Sequence, residues 1–192
     1  MEYPALFAHF NKYIKLPSDA YLALESRLVR KVIPDREFLI REGQVIRYLP
    51  YINNGLMVNH RIDENGDKHV IQIRSSGSWL GDIYSFFSGQ PTKFNIRAYR
   101  ETELLLINDD TFDYITNNHP VYEKYFRLTI QNAYIETLNQ IFNLHSLSAQ
   151  ERYIELIKAV PSLLDDVPHY LIASYLNIQP QSLSRIRKNL KK

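Results

Sequence analysis

The chain of 192 residues contains no cysteine. This absence excludes disulfides, cysteine-ligated iron–sulfur clusters and thiol redox sensing. Long apolar runs are also missing, because the longest aliphatic run is only Leu104–Ile107. We therefore expect no segment that spans a membrane. No basic-then-apolar signal follows Met1, and we expect a cytoplasmic protein.

Signatures of catalysis and of metal binding are scarce as well. The six histidines are scattered, and the chain has no Gly-x-Ser-x-Gly motif and no phosphate-binding glycine loop. His60 and His69 within a predicted barrel raise the hypothesis of a metal-dependent jelly-roll enzyme. No His-x-His pair or spaced glutamate completes a set of metal ligands, however. The sequence therefore predicts neither an enzyme nor a metal site, and no cofactor is evident.

Glycine is rare outside one region, since all six glycines lie between Gly43 and Gly89. Asn65-Gly66 marks a hairpin turn in that region. Short stretches with β character occur at Tyr48–Asn53, Leu56–Ile62, His69–Ile73, Phe94–Ala98 and Glu103–Ile107. Short strands at close spacing predict an antiparallel β-barrel or jelly roll. Helices are expected before it, over Tyr3–Lys15 and Ser18–Arg30, which makes the fold class α+β.

The second half of the chain has a helical pattern. Asn108 begins a short helix to about Asn118, and Pro120 begins a long helix to about Leu144 without glycine or proline. One seam of that helix follows a 3.5-residue spacing through Val121, Tyr125, Leu128, Asn132, Ile135, Asn139 and Phe142. Other apolar residues face a second surface. We expect helix 120–144 to pack on its own barrel and to join a second copy as a homodimer, the alternative being one wide face buried within one chain.

A new helix begins at a capping box. Ser148 and Glu151 have the spacing in which each side chain bonds the other's backbone N–H. The predicted helix runs from Ala149 to about Ala159, after a hinge at 145–147, and a loop follows over 161–168. The expected domains are thus a sensor barrel with its N-terminal helices (1–118), a long helix with the hinge (119–145), and a C-terminal domain (146–192).

The last two dozen residues have the spacing of two short helices that touch. Asn177 tolerates the left-handed backbone of a tight turn, and Pro180 suits the first turn of a helix. Apolar residues fall at Ile172, Leu176, Ile178, Leu183 and Ile186, and the small residue Ala173 suits the point of contact. This pattern predicts a helix-turn-helix, whose second helix can enter the major groove of DNA.

The polar face of that second helix supports a nucleic-acid role. With Leu183, Ile186 and Leu190 turned inward, the opposite face carries polar and basic residues. The candidate DNA-contacting residues are Gln179, Gln181, Ser182, Arg185 and Lys188. Glutamine can bond adenine in two places, and arginine can do the same to guanine.

Charge is concentrated at the same end. Residues 169–192 hold five basic side chains and no acidic one, whereas the whole chain has a net charge of only +2. Phosphate backbones attract such a cluster. The alternatives are a solvated basic tail, a capping role for Gln179, and an Arg187 whose stem packs along the core.

A sensor barrel followed by a long helix, a hinge and a C-terminal helix-turn-helix resembles the Crp/Fnr family of bacterial transcription regulators. The resemblance is carried by Arg41–Gln44, by Gly77–Asp82 at the start of a phosphate-binding cassette, and by Ile172–Leu176 and Ser182–Ile186 in the two C-terminal helices. It implies homodimers joined along the long helix, with each second C-terminal helix in one half of a two-fold symmetric operator in double-stranded DNA. Arg185 aligns with a family arginine that contacts a base or a phosphate, and RNA polymerase is a further partner by resemblance.

The cassette departs from the cyclic-nucleotide binders of that family. These use a glycine–acid pair and, later, an arginine followed by serine or threonine. Gly81-Asp82 fits the first part, but Thr92-Lys93 supplies no arginine fork for the cyclic phosphate. A candidate effector pocket therefore comprises Gly81, Asp82, Ile83, Thr92 and Lys93, without cyclic AMP as its ligand. We expect the bulky Tyr84, Phe86, Phe87 and Phe94 to fill it, the next alternative being another small molecule.

The C-terminus is a second departure. Many family members add a β-hairpin wing, whereas this sequence has six residues after Ile186. We expect no wing, with Lys188, Lys191 and Lys192 contacting the DNA backbone in its place. The alternative function is a small-molecule or cyclic-nucleotide sensor that acts mainly through protein partners. The basic C-terminal face speaks against that alternative.

Overall fold

The computed structural model describes residues 2–161 and 163–190. Its helices are α1 (Pro4–Asn11), α2 (Ser18–Glu25), α3 (Ile83–Ser88), α4 (Asp109–Asn118), α5 (Val121–Ser146), α6 (Ala149–Ala159), α7 (Leu163–Asp166), α8 (His169–Tyr175) and α9 (Pro180–Leu190). Its strands are β1 (Val29–Ile33), β2 (Phe38–Ile40), β3 (Tyr48–Asn54), β4 (Leu56–Ile62), β5 (Lys68–Ser75), β6 (Ser78–Trp79), β7 (Asn95–Ala98) and β8 (Thr102–Asn108). None of the described helices is long and apolar enough to cross a bilayer.

The strands form two four-stranded antiparallel sheets. Their orders are β1-β8-β3-β6 and β2-β7-β4-β5. Ile52, Met57, Ile96 and Leu104 are fully buried in one apolar cluster to which both sheets contribute. This arrangement confirms the predicted α+β jelly roll. The hairpin at Asn65-Gly66 is also present, since the Gly66 N–H donates to Asp63 O (3.0 Å) and Gly66 has a φ of 86°.

Strand pairing corrects the predicted N-terminal helix. The helix expected over Ser18–Arg30 ends at Glu25, and Val29 and Arg30 begin β1. Val29 pairs with Leu106 and Arg30 with Leu105, so the partner strand β8 decides the conformation of this segment. The short strands β2 and β6 were also missed, because two or three residues are too few to show a period.

Buried tyrosines tie the N-terminal helices to α5. Tyr21, Tyr122 and Tyr125 are fully buried in the cluster that α1, α2, α4 and the first turns of α5 share. Tyr122 Oη donates to Ala20 O (2.8 Å), and Tyr21 Oη donates to Tyr3 O (2.8 Å). Each hydroxyl thus finds a backbone acceptor, as a buried polar group requires.

The long helix divides into two parts by burial. Tyr122, Tyr125 and Phe126 are buried, whereas Ile135 and Phe142 are 53% and 66% exposed. The predicted seam through Tyr125, Ile135 and Phe142 is therefore wrong as a single surface, because Tyr125 packs within its own chain. Of this 26-residue helix, only the first part therefore buries apolar side chains within the protein's own core.

The last four helices pack against the barrel. Ser148 and Glu151 form the predicted capping box at the start of α6, with Ser148 N–H donating to Glu151 Oε2 (2.8 Å). The loop expected over 161–168 contains α7 instead, since Leu163 turns fully into the core. One apolar cluster joins Val58 and Val70 of the barrel to the C-terminal helices.

A hydroxyl group fixes this docking at the sheet edge. Ser174 of α8 donates to Lys68 O (2.7 Å) and accepts from the Val70 N–H (3.0 Å). β5 is an edge strand, so Ser174 satisfies backbone groups that a neighbouring strand would otherwise pair. Asp166 adds an ion pair with Arg100 (3.6 Å).

Candidate nucleic-acid interface and effector pocket

A tight turn joins α8 to α9. Asn177 adopts a left-handed φ of 52°, as its residue type allows. The Asn177 N–H donates to Ser174 O, and the Ile178 N–H donates to Ala173 O, both at 3.0 Å. Ala173 and Leu183 are fully buried, so the two helices meet through these residues. This turn fixes the direction in which α9 leaves the body of the protein.

Four of the candidate DNA-contacting residues are exposed at α9. Gln179, Gln181, Arg185 and Lys188 are exposed, and Ser182 is half-buried. Arg185 Nη2 donates to Ser182 Oγ at 3.4 Å, which places both side chains on one face of the helix. The Gln179 carbonyl accepts from the Ser182 N–H (2.9 Å), so its backbone begins the first turn while its side chain remains at the surface. Four of the five residues thus lie on α9, and Gln179 directly precedes it.

Two neighbours of that face differ in their burial. Leu190, which was expected to turn inward, is 42% exposed, because α9 extends past the last side chains that cover it. Arg187 is half-buried and contacts the ring of His169, as the packing alternative anticipated. Burial, reinforced by the charge of Arg187, lowers the pKa of His169. Lys191 and Lys192 lie outside the described residues, and their contacts with DNA stay predictions.

The residues of the expected effector pocket do not share one cavity. Asp82 caps α3, since its Oδ1 accepts from the Tyr84 N–H (3.0 Å) and the Ser85 N–H (3.3 Å). Its Oδ2 accepts from Thr92 Oγ1 at 2.9 Å. Thr92 is buried, whereas Ile83 and Lys93 are exposed. Asp82 and Thr92 therefore bond to each other, and both carboxylate oxygens are engaged within the protein.

The bulky side chains of the cassette also differ from expectation. Tyr84 and Phe87 are 67% and 55% exposed rather than buried in the barrel, and Phe87 lies at the wall of a cavity that Gly81 and Ile83 also line. The helix α3 turns Ser85 fully inward instead, where Ser85 Oγ donates to Gln90 O (2.6 Å). Phe86 packs against the core cluster of the barrel. The inward side of α3 is therefore formed by Ser85 and Phe86.

A cavity that sequence reasoning missed lies between the barrel, α3 and α5. It has a volume of about 110 Å³. Gln72, Arg74, Trp79, Phe126, Thr129 and Ala133 are among the residues that line it. Gly81 and Ile83 reach it too, but Asp82, Thr92 and Lys93 do not. Five separate elements contribute to its wall, and of the residues predicted for an effector pocket only Gly81 and Ile83 belong to it.

One wall of this cavity is fixed by a chain of hydrogen bonds. Trp79 Nε1 donates to Tyr125 Oη at 2.6 Å, and the same oxygen lies 2.7 Å from His9 Nδ1. Burial lowers the pKa of His9 to about 4 and raises the pKa of Tyr125. At neutral pH the Nδ1 atom of an uncharged His9 can thus accept a hydrogen bond from the Tyr125 hydroxyl, which keeps its proton. Because the indole N–H already donates to Tyr125, Trp79 presents only apolar surface to the cavity.

In the described part of the chain, no three acidic or histidine side chains lie together in a group that could hold a metal ion. His60 and His69 point to different surroundings. His60 is fully buried, and burial lowers its pKa to about 4. His69 Nε2 pairs with Asp63 at 2.8 Å on the surface.

Comparison with known proteins agrees with this architecture. Residues 30–119 match the family described as the cyclic nucleotide-binding domain. This segment runs from β1 to the end of α4 and so contains the jelly roll. No curated protein sequence matches the chain significantly.

Solved structures share the fold over nearly the whole chain. The c-di-GMP-responsive global regulator CLP of Xanthomonas campestris is 14% identical, with a TM-score of 0.70 over 91% of this chain and 92% of its own. FixK2 of Bradyrhizobium japonicum is 14% identical, with a TM-score of 0.70 over 85% and 84%. A protein of Eubacterium rectale assigned to the Crp/Fnr family of transcriptional regulators is 12% identical, with a TM-score of 0.69 over 92% and 84%. The chain therefore has the fold of Crp/Fnr-type regulators.

Proposed function

We propose that the chain is a sequence-specific transcription regulator of the Crp/Fnr type, which binds a two-fold symmetric operator in cytoplasmic DNA as a homodimer. The observation that carries this proposal is the exposed face of α9, with Gln181, Arg185 and Lys188 directed away from the core. Helix-turn-helix proteins read bases from such a face in the major groove. The fold shared with transcription regulators supports the proposal.

The turn at Asn177 supports a groove-reading role for α9. Because α8 is anchored to β5 through Ser174, α9 projects from a support that is itself packed on the barrel. A recognition helix must be held at a defined angle for its side chains to reach base edges. Arg187 and His169 brace the opposite side of α9, which leaves Arg185 as the arginine free to face DNA.

The distal part of α5 supports the dimer. Ile135, Leu138 and Phe142 are exposed and follow the four- and three-residue spacing of a coiled-coil seam. Soluble proteins rarely leave such a continuous apolar patch uncovered. A second copy that packs along α5 would cover it and place two α9 helices on one DNA duplex. Contact with RNA polymerase remains an expectation from the family resemblance.

The effector of this regulator is not a cyclic nucleotide in our proposal. Asp82 already accepts three hydrogen bonds from protein groups, one of them from the Thr92 hydroxyl. Thr92 stands where a phosphate-binding arginine would be needed, and it turns toward a carboxylate rather than toward a phosphate. A cyclic phosphate would meet a negative charge without a guanidinium to neutralise it.

Selection from randomised duplex DNA tests the proposed function. The purified protein is mixed with random duplexes at two salt concentrations, and the bound DNA is sequenced. We expect a two-fold symmetric motif whose half-sites lie about one helical turn, or about 34 Å, apart. Arg185→Ala should weaken binding to that motif by about 1–3 kcal/mol. Arg47→Ala is the matched control, because this exposed arginine pairs with Asp109 of α4, and it should bind as the parent does.

The same selection separates the two candidate functions. Weak, sequence-blind binding by the parent, with no enriched motif under any condition, would favour a sensor that acts through protein partners. Equal operator affinity of Arg185→Ala and the parent would show that α9 does not enter the groove as proposed.

A further inference from the structure

The link between the long helix and the C-terminal helices is very short. α5 ends at Ser146 and α6 begins at Ala149, so only Leu147 and Ser148 lie between them. Leu147 is extended, with a φ of −99° and a ψ of 142°, which ends the helical path. Each helix also has its own cap here, because the Leu147 N–H donates to Asn143 O and Ser148 caps α6. The angle between α5 and α6 is therefore left to other contacts.

Apolar packing does not join these helices directly. The apolar cluster of the C-terminal helices includes barrel residues such as Val58 and Val70 and no residue of α5. The buried part of α5, around Tyr125, belongs to a different cluster. Within the described part of the chain, the C-terminal helices are thus tied to α5 either through the barrel or through polar contacts.

Arg152 of α6 makes polar contacts of this kind. Its Nη1 donates to Leu147 O at 2.7 Å and to Leu144 O at 3.5 Å, and its Nη2 donates to Leu176 O at 3.1 Å. Leu144 lies in the last turn of α5, and Leu176 caps α8 directly before the turn at Asn177. One planar guanidinium therefore holds the end of the long helix, the link after it and the turn that leads into α9.

Two of these acceptors are carbonyl groups at helix ends. The last C=O groups of a helix have no partner within it, and Leu144 and Leu176 stand at the C-terminal ends of α5 and α8. Arginine suits them because its guanidinium presents five N–H donors in a rigid fork. The ammonium group of a lysine is a point charge on a flexible stem, and does not fix the angle between two acceptors in the same way.

One donor of this guanidinium is unsatisfied. Arg152 is half-buried, and its buried Nε has no acceptor among the described residues. Buried donors normally have a partner. None of the ion pairs in the described part of the chain involves Arg152. The contacts with carbonyl groups of α5, the link and α8 therefore decide where the guanidinium lies.

We propose that Arg152 is a positioning residue, which sets the angle between α5 and α9 and thereby the distance between the two half-sites of the operator. The inference rests on the proposed function and adds the residue that determines its spacing. Because the exposed seam of α5 faces the second copy in the proposed dimer, the separation of the two α9 helices follows from how each is held on its own α5. A dimer reads two half-sites at the spacing that matches its own geometry.

A distance measurement within the full chain tests this positioning without DNA. The chain has no cysteine, so spin labels can be attached to Asn132→Cys on α5 and Asn189→Cys on α9, both at exposed positions. Labelled chains are mixed with an excess of unlabelled copies of the same variant, so that the distance within one chain dominates the signal. We expect one narrow distance distribution in the parent.

Two variants of Arg152 and one control accompany the parent. Arg152→Gln should broaden the distance distribution or add a second distance, because the fork that joins the three carbonyl groups is lost. Arg152→Lys keeps the charge and the long stem, and should give an intermediate width. Arg127→Gln is the matched control, since this exposed arginine of α5 donates to Gln131 of its own helix at 3.4 Å. It should leave the distribution unchanged.

Binding to duplexes of different spacing connects this geometry to DNA. The duplexes carry the two half-sites of the selected operator at spacings that differ by one base pair, beside a duplex with a single half-site. The parent should prefer one spacing at least about tenfold over its neighbours, and Arg152→Gln should reduce that preference to about threefold or less. Both chains should bind the single half-site equally, because the exposed face of α9 is unchanged.

The outcomes separate this inference from the proposed function. An unchanged distance distribution in Arg152→Gln would overturn the positioning role, and an unchanged spacing preference would overturn its effect on the operator. If both Arg152 variants bind the single half-site more weakly and keep the spacing preference, Arg152 only supports the fold and the inference fails. A parent that enriches no symmetric motif contradicts the proposed function, whereas the distances still decide whether Arg152 positions α9.

Discussion

The two halves of α5 have similar composition and opposite surroundings. The first half buries Tyr122 and Tyr125 completely, whereas the second half leaves Ile135 and Phe142 more than half exposed. The difference arises from what lies beside the helix. The apolar cluster that α1 and the barrel share with α5 covers only the first turns of this helix, and Arg74 of β5 reaches the distal part only through an ion pair with Glu136. The apolar cluster of the C-terminal helices includes barrel residues and no residue of α5. The comparison shows that an apolar pattern predicts burial without saying which partner supplies it.

The largest expected effect tests the buried half. Tyr125→Ala should lower the free energy of unfolding by about 3–5 kcal/mol, because it opens a cavity in the core. Tyr134→Ala removes the same side chain from the exposed half and should cost less than about 0.5 kcal/mol. Urea denaturation of both variants in a Leu138→Asp background keeps assembly out of the measurement. Equal losses of unfolding free energy in the two variants would contradict the difference in burial between the two halves of α5.

The second prediction tests the exposed half. Leu138→Asp should raise the dissociation constant of the dimer at least about a hundredfold, because a carboxylate would be buried in the seam. The stability of the separated chain should change by less than about 0.5 kcal/mol. Sedimentation over a range of concentrations measures the assembly, with Gln150→Asp on α6 as the control for added charge. A Leu138→Asp chain that stays dimeric would show that this face is not the interface.

Acid should destabilise the fold in part through His9, which bonds Tyr125 of the buried half. The folded chain holds the pKa of His9 at about 4, below the ordinary value of 6.5, so the unfolded chain binds more protons between these values. Stability from this histidine is complete above about pH 6.5 and is lost as the pH falls toward 4, by about 1–2 kcal/mol at pH 5. Urea midpoints at pH 7 and pH 5 measure the loss, and His60 adds to it in the same direction. His9→Phe should have a shallower pH dependence than the parent, whereas an unchanged slope would remove His9 as a cause.

The smallest effect concerns the docking that leaves the distal half free. Ser174→Ala removes the hydroxyl that bridges Lys68 and Val70, and should cost about 1 kcal/mol. The Val70 N–H should then exchange faster with deuterium, because it loses its acceptor. Ser184→Ala is the matched control, since that exposed hydroxyl only bonds Pro180 O of its own helix. Unchanged exchange at Val70 would mean that the hydroxyl does not hold α8 on the sheet.

Features set by local residues could be predicted from the sequence. The hairpin at Gly66, the capping box at Ser148 and the turn at Asn177 each depend on the preference of one or two residues, and the structure has all three. The strands β3, β4, β5, β7 and β8 follow from apolar stretches between turns. These features need no knowledge of distant partners.

Features that depend on distant partners were missed. Val29 and Arg30 became a strand because β8 pairs with them, although their local pattern continued a helix. Tyr125 lies in the core instead of the predicted dimer seam, because Trp79 of β6 and His9 of α1 bond its hydroxyl. The cavity at Arg74 was invisible for the same reason, because its wall is assembled from several separate elements. The five candidate DNA-contacting residues lie on α9 or directly before it, and their role stays a prediction.

Hydroxyl-radical footprinting on a selected operator tests the central proposal most directly. The parent chain should protect two patches related by a dyad and separated by about one helical turn. The Leu138→Asp chain should protect one patch at most, and only at higher concentration. One asymmetric patch under the parent chain, or equal footprints for both chains, would contradict a dimer that reads DNA through its two α9 helices.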